Sequence, residues 1–388
     1  MTADLFHLVP KIHYGPGAAG QAGPALAWLG ARRVLLVSDP GVLAAGVSDA
    51  VVRSLSAAGV EHVLHSDLAT NPSEKHVDAA AEAYRDGGCD GLIGVGGGSS
   101  LDVAKSAATV LSGGGDIRDY EDGRTAVTGP WPPLVLVPTT AGTGSEAVSG
   151  AIITDSTRVF KMHVVAVPAH VALCDPLLTL TLPLLPTVAS GLDALAHAIG
   201  AYTSAERQPL ADGMALHAVR QIAASLPAVV ADGRDLAART GMMVGSLSAG
   251  ISMKGGGAAD HAFAHAVNAV FDVLHGVGVA LFLPDAMEFN LPHLPERFAD
   301  IARALGVPDA GQSATELGRL GIEAVRDLVE LCRIPSLADL GVGREHVPEL
   351  VGKVLEDSFH LGLNPVPVGR ADAERVLQRA VARTGAAR

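Results

Sequence analysis

The chain reads as a two-domain protein, an α/β domain built on a parallel sheet followed by an all-helical domain. Three observations carry that reading. Through the first half, short apolar runs alternate with longer amphipathic ones, the signature of βαβ units. From Thr187 onward nearly every segment has helical period and strand signals become scarce. The length, 388 residues, exceeds what one core usually serves, at roughly 150 residues per domain.

Taken in order, residues 34–37 form a buried strand run ended by Ser38-Asp39-Pro40. A helical pattern covers 48–58, a strand 60–64, a helix 73–86, a strand 91–95, a helix 99–111 and a strand 134–137. Residues 164–167 and 171–173 are expected as further strands. Pro183 and Pro186 suit a linker or the first turn of a helix, which places the boundary between domains 1–184 and 185–388.

Composition narrows the partners. Apolar residues make up 48% of the chain, enough for a large core, and the net charge of −13 argues against nucleic acid or an anionic membrane. The most apolar region, 164–186, is broken by His170, Asp175 and the prolines Pro168, Pro176, Pro183 and Pro186, so it does not read as a membrane span. Cys89, Cys174 and Cys332 are odd in number and form no CxxC pair. They read as unreactive thiols in a reducing cytoplasm rather than as a disulfide framework or a zinc site. The first ten residues lack the basic-then-apolar order of a signal peptide, which also points to the cytoplasm.

The strand at 91–95 runs into Gly96-Gly97-Gly98-Ser99 and then a helix. Glycines allow close backbone approach, and a helix start offers unpaired N–H donors to a pyrophosphate. A tight βα turn is the plainer account, but three consecutive glycines exceed what a turn needs. Asp39 ends an earlier strand, where a carboxylate can accept from ribose hydroxyls and repel a 2′-phosphate. It would equally cap a turn before Pro-Gly. After the strand at 134–137, the segment Pro138-Thr139-Thr140-Ala141-Gly142-Thr143-Gly144-Ser145-Glu146 packs four hydroxyls and two glycines into nine residues. Hydroxyls and exposed amides at that density suit the wall of a polar ligand pocket.

Asp193 and His197 stand four apart in a helical pattern, as do His261 and His265, and His275-Gly276 follows. Residues four apart share a helix face. Any one of these histidines reads most simply as a packed or surface residue. One carboxylate and several imidazoles in two such pairs suit Fe²⁺, Zn²⁺ or a similar divalent ion.

Gly96-Gly-Gly-Ser99 with Asp102 and Lys105, Pro138 to Glu146, Asp193-x₃-His197 and His261-x₃-His265-x₉-His275-Gly276 occur together and in this order. With Asn71-Pro72 and the strand ending at Asp39, they cover residues 10–365, and the chain resembles the iron-containing (group III) alcohol dehydrogenases. The resemblance implies a dehydroquinate synthase-like architecture, with a nucleotide-binding α/β domain, a helical metal-binding domain and a site in the cleft between them. It implies Asp193, His197, His261 and His275 as metal ligands and His265 as a histidine near the nicotinamide. Gly97, Gly98, Ser99, Thr139, Thr140, Thr143 and Lys161 match cofactor-contacting positions. Asp39, Asn71, Gly96, Asp102 and Ser145 complete the candidate cofactor set. Gly200 stands where that family usually has Glu, Asn268 where it has Gly, Leu274 where it has Pro and Ala258 where it has Gly; segment 252–260 is also atypical.

The expected activity is therefore interconversion of a small alcohol and its aldehyde or ketone, with NAD(H) preferred over NADP(H) and one Fe²⁺ or Zn²⁺. Proton delivery passes through His265 or the cofactor ribose. The expected assembly is a homo-oligomer, first of all a dimer. Lys254, ahead of Gly255-Gly256-Gly257, is a candidate partner for an anionic substrate group, against the plainer account of a solvated loop lysine. Rival readings are a maleylacetate reductase-like enzyme, another dehydroquinate synthase-like enzyme, and a non-catalytic metal- or nucleotide-binding protein.

Overall fold

The computed structural model describes residues 6–253 and 257–383. The first half runs β1 (Lys11–Tyr14), α1 (Ala22–Trp28), β2 (Arg33–Ser38), α2 (Pro40–Ala44), α3 (Asp49–Ala57), β3 (Glu61–His65), α4 (Glu74–Asp86), β4 (Gly91–Gly96), α5 (Gly98–Gly113), β5 (Leu134–Pro138), β6 (Gly150–Asp155), β7 (Phe160–Val165) and β8 (Val171–Cys174). Six strands form one sheet in the order β1-β8-β5-β4-β2-β3, and every pairing in it is parallel. This is the parallel α/β sheet the alternating pattern predicts.

The central strands are apolar on both faces because both are covered. Leu35, Val37, Leu92, Leu134 and Leu136 pack with Leu101, Ala104 and Ala108 of α5. The alternate residues Val34, Leu36, Ile93, Val95, Val135 and Val137 pack with Leu26 of α1 and Val51 and Leu55 of α3. Register sets Ser38 opposite Val95 and Gly96 opposite Pro138. The carboxyl ends of β2, β4 and β5 therefore finish level, where open α/β sheets bind ligands.

The strand expected at 164–167 is the end of β7, which pairs antiparallel with β6 in a separate two-stranded ribbon, Val164 opposite Ala151. Only its last residues form an apolar run, so the alternating Phe160–His163 stretch escaped notice. β1 escaped for the same reason: Lys11–Tyr14 is a largely exposed edge strand with no apolar run.

The second half is helical among the described residues: α6 (Leu184–Thr203), α7 (Pro209–Ala231), α8 (Leu236–Ser252), α9 (Ala259–Phe271), α10 (His275–Asn290), α11 (Pro295–Ala304), α12 (Ala314–Leu331), α13 (Val347–Glu356), α14 (Ser358–Leu363) and α15 (Arg370–Ala382). Pro183 is the N-cap of α6, where a missing N–H costs nothing. α6 and α7 are long and apolar enough to cross a membrane, but in α6 the apolar residues Val188, Leu192, Leu195 and Ile199 lie in the helical core beside Ile222, Leu226 and Leu283. Chain contacts define two compact units. One comprises His7–Thr140 and Gly144–Leu182, and the other Ala141–Thr143 with Pro183 onward. The excursion of Ala141–Thr143 is held tightly: a Cβ added at Gly142 would stand 2.5 Å from Ser190 Cβ.

Candidate metal centre and nucleotide loops

In the α/β unit the turn from β4 into α5 demands glycine at one position. Gly96 has φ +157°, and a Cβ there would meet Ser100 Oγ at 2.4 Å and Asp39 Oδ2 at 3.2 Å. Gly97 is the N-cap of α5 and offers no side-chain cap, and Gly98 opens the helix. The first N–H groups of the helix thus lack intrahelical acceptors. Ser99 Oγ donates to Thr70 O at 2.6 Å, tying the glycine loop to the segment holding Asn71. Asn71 Oδ1 in turn accepts from Lys161 Nζ at 2.6 Å. Thr139 N donates to Gly96 O at 2.9 Å, and Thr140 lies beside Gly97, within 3.5 Å of its ideal Cβ.

Asp39 fills the capping role anticipated for it. Its Oδ1 accepts from Val42 N at 2.9 Å as the N-cap of α2, while Oδ2 turns toward Ser100 Oγ, 3.5 Å away. Asp102 and Ser145 engage each other: Ser145 Oγ donates to Asp102 Oδ1 at 2.6 Å, and Ile152 N to Oδ2 at 2.9 Å. Lys105, fully buried, pairs with Asp102 at 3.1 Å and donates to Ser145 O at 3.0 Å. Burial lowers the Lys105 pKa, opposed by Asp102. These three side chains fasten the hydroxyl-rich loop to α5. Thr143 belongs to the helical unit.

In the helical unit, Asp193 and His197 project from one face of α6, His261 and His265 from α9, and His275 opens α10. His261 Nε2 and His275 Nε2 stand 3.7 and 3.5 Å from Asp193 Oδ1. His197 Nε2 lies 3.0 Å from His261 Nε2, and its Nδ1 is 3.9 Å from Asp193 Oδ2. Asp193 Oδ1 and His197 Nδ1 are buried without a hydrogen-bond partner. Asp193, His261 and His275 offer one ligand atom each within 4.8 Å of one another. Two ring nitrogens held face to face beside an orphaned carboxylate oxygen fit a shared cation, which would satisfy all of them at once.

The protein's own charges are uneven in this cluster. Burial raises the Asp193 carboxyl, but His197, His275 and His261 outweigh it and hold the group well below the carboxylate range. Burial pushes His197 down to about 4. Burial also lowers His261, but the carboxylates of Asp260 and Asp193 reverse this and raise it to about 10.

His265 places its ring 5.3 Å from that of His275, with its Nδ1 3.0 Å from Asp357 Oδ2. His360 Nδ1 shares that carboxylate at 3.0 Å, and its ring stacks on His261 at 5.4 Å. Burial raises the Asp357 carboxyl, but His360 and His265 outweigh it and hold the group low. Sequence reasoning missed Asp357 and His360: the contact to His265 spans 92 residues and leaves no spacing signal. It also missed Asp260, whose Oδ2 lies 3.2 Å from His261 Nδ1. Gly200 has a steric account, since a Cβ there would stand 3.2 Å from Ala258 N. The backbone at Gly257 and Ala258 occupies the space a longer side chain would need. Lys254 lies outside the described residues.

Known proteins match the chain in sequence and fold. The family described as iron-containing alcohol dehydrogenase matches residues 10–176, and the C-terminal part of the Fe-containing alcohol dehydrogenase family matches residues 187–381. Choline dehydrogenase of Bacillus subtilis is 38% identical over 93% of this chain and 90% of its own. NAD-dependent methanol dehydrogenase of Bacillus methanolicus is 35% identical over 91% of this chain and 93% of its own. The crystal structure of 1,3-propanediol oxidoreductase superposes with a TM-score of 0.91 at 32% identity, over 97% of this chain and all of that one. With family matches across both halves and relatives aligned over nine-tenths of its length, the chain belongs to the iron-containing alcohol dehydrogenase family and is an oxidoreductase.

Proposed function

We propose that this enzyme is a metal-dependent, NAD-linked dehydrogenase that interconverts a small primary alcohol and its aldehyde. Residues 1–184 take the nucleotide, and residues 185–388 hold one divalent cation through Asp193, His197, His261 and His275. The observation that carries the reading is the convergence of three imidazole nitrogens and Asp193 Oδ1 in one partly buried cluster. Choline and methanol, the substrates named for two relatives, are both primary alcohols, which supports that substrate class.

A bound divalent cation would supply Lewis acidity toward the substrate oxygen, and NAD(H) the hydride acceptor or donor. The chain's own groups do the rest. Asp193 brings a carboxylate that neutralises part of the cation's charge in a dry setting. Asp357 holds His265 by Nδ1, which directs any proton His265 exchanges to its Nε2. The N–H groups at the start of α5 offer donors to a pyrophosphate. Asp39 Oδ2, turned toward Ser100 and Gly96, favours NAD(H) over NADP(H) by repelling a 2′-phosphate. The donor set suits Fe²⁺ and Zn²⁺ alike, and the family's character favours iron. Three unpaired cysteines, two of them buried, suit a reducing cytoplasm. The exposed edge strand β1 with Tyr14 offers a surface for a second copy.

The test is a screen of primary alcohols with NAD⁺, and of their aldehydes and maleylacetate with NADH, run on chelator-stripped protein and on protein reloaded with Fe²⁺ or Zn²⁺. Turnover that appears only on reloading supports the proposal. Equal turnover without metal, or activity confined to an unsaturated keto acid such as maleylacetate, would refute it.

A further inference from the structure

Resting on the reading of His261 and His275 as ligands, we propose that Asp260 and Asn268 are positioning residues of the metal centre. Each accepts the Nδ1–H of one ligand imidazole and so sets how tightly the cation is held.

A neutral imidazole carries one N–H and one lone pair, and whichever nitrogen is held by an acceptor keeps the proton. His261 and His275 both turn Nε2 toward Asp193 Oδ1. Their Nδ1 atoms therefore decide whether Nε2 presents a lone pair or a proton. Asp260 Oδ2 lies 3.2 Å from His261 Nδ1. A carboxylate there can only accept, so it fixes the ligating tautomer.

Burial sharpens the argument. Asp260 is 1% exposed, and its Oδ1 is buried with no hydrogen-bond partner. A buried carboxylate with so little support is costly unless a positive charge lies close by. Asp193 and Asp260 together carry two negative charges, the number that balances one divalent cation bound by neutral imidazoles. The second carboxylate thus makes the centre neutral as a whole.

Asn268, 2% exposed, places an amide nitrogen 3.0 Å from His275 Nδ1, while its Oδ1 is buried with no hydrogen-bond partner. An amide can turn either end to a neighbour. With NH₂ facing Nδ1, the His275 proton sits on Nε2 and the ring cannot ligate. With the oxygen facing Nδ1, the buried oxygen gains a donor and Nε2 gains a lone pair, so ligation selects the second arrangement. Gly278 makes the space: a Cβ there would stand 2.7 Å from Asn268 Oδ1. Outer partners of this kind are worth roughly 10–100-fold in metal affinity.

The experiment measures the metal dissociation constant and the half-time of chelator-driven release on the holoenzyme, by elemental analysis, with circular dichroism as the check on folding. Wild type should hold one equivalent and His275→Ala should lose it. Asp260→Ala and Asn268→Leu should then loosen the cation by about 10–100-fold. Asn268→Asp, which can only accept, should hold it at least as tightly as wild type, and Asp260→Asn should fall between wild type and Asp260→Ala. Wild-type release from folded Asp260→Ala and Asn268→Leu would overturn the proposal. So would an Asn268→Asp protein as leaky as Asn268→Leu. Retention of metal by His275→Ala would instead overturn the ligand reading itself, and the proposal with it.

Discussion

The Nε2 atoms of His197 and His261 face each other at 3.0 Å, and their rings stack with centroids 4.5 Å apart. Two ring nitrogens so placed cannot both carry protons without repulsion. Burial has already pushed His197 down to about 4, so its lone pair is available near neutral pH. In the proposed ligand set His275 is the first residue of α10, with its side chain 25% exposed. On that proposal, His275→Ala removes a ligand without opening the core, which is built from residues such as Phe263, Val277 and Phe282. The expected outcome is a folded protein without metal and without turnover. Elemental analysis beside circular dichroism checks it, and full metal occupancy would exclude His275 from the centre.

What the sequence made legible followed from local periodicity. Buried parallel strands such as Leu134–Pro138 read as unbroken apolar runs, and the pairs Asp193/His197 and His261/His265 read as shared helix faces. Signals that depend on distant chain segments stayed hidden. Asp357 reaches His265 across 92 residues, and the Phe160–Val165 strand alternates against a hairpin partner rather than joining the sheet. Nor did their motifs show that Asp102 and Ser145, both expected at the cofactor, hydrogen-bond to each other.

That last contact has a stability consequence. The Lys105 ammonium is fully buried, paired with Asp102 and hydrogen-bonded to the Ser145 carbonyl. Asp102→Ala leaves an uncompensated buried charge, which typically costs about 3–5 kcal/mol. Lys105→Met removes the charge along with the pair and should cost less. Urea midpoints for the two variants check the order, and a milder effect from Asp102→Ala would contradict it.

Asp39 carries a cap and a charge, and two substitutions separate them. Asp39→Ser keeps a capping oxygen for Val42 N and removes the carboxylate; Asp39→Ala removes both. Both variants should raise kcat/KM for NADP⁺ relative to NAD⁺ by about tenfold or more, since like charges brought together cost over ~1.4 kcal/mol. Only Asp39→Ala should also lose about 1 kcal/mol of stability. If neither substitution changes the cofactor ratio, Asp39 is a cap and nothing more.

His170 gives the fold a dependence on pH that is independent of the metal centre. Its Nδ1 accepts from Leu134 N at 3.1 Å at the start of the central strand β5, and its ring lies 5.4 Å from that of Trp131. Burial lowers its pKa from the ordinary value of 6.5. The unfolded chain therefore binds a proton at a pH where the folded chain does not, and stability rises with pH across that window. The contribution is complete above about 6.5 and is lost as pH falls from there toward the folded value. His65 is lowered by burial too and adds a slope of the same sign, so the wild-type curve alone cannot isolate His170. The difference between wild type and His170→Asn can, because His65 contributes equally to both. Urea unfolding from pH 8 down to about pH 5 should show the two proteins converging as the medium becomes acidic. Parallel curves would mean that His170 titrates alike in the folded and unfolded chains.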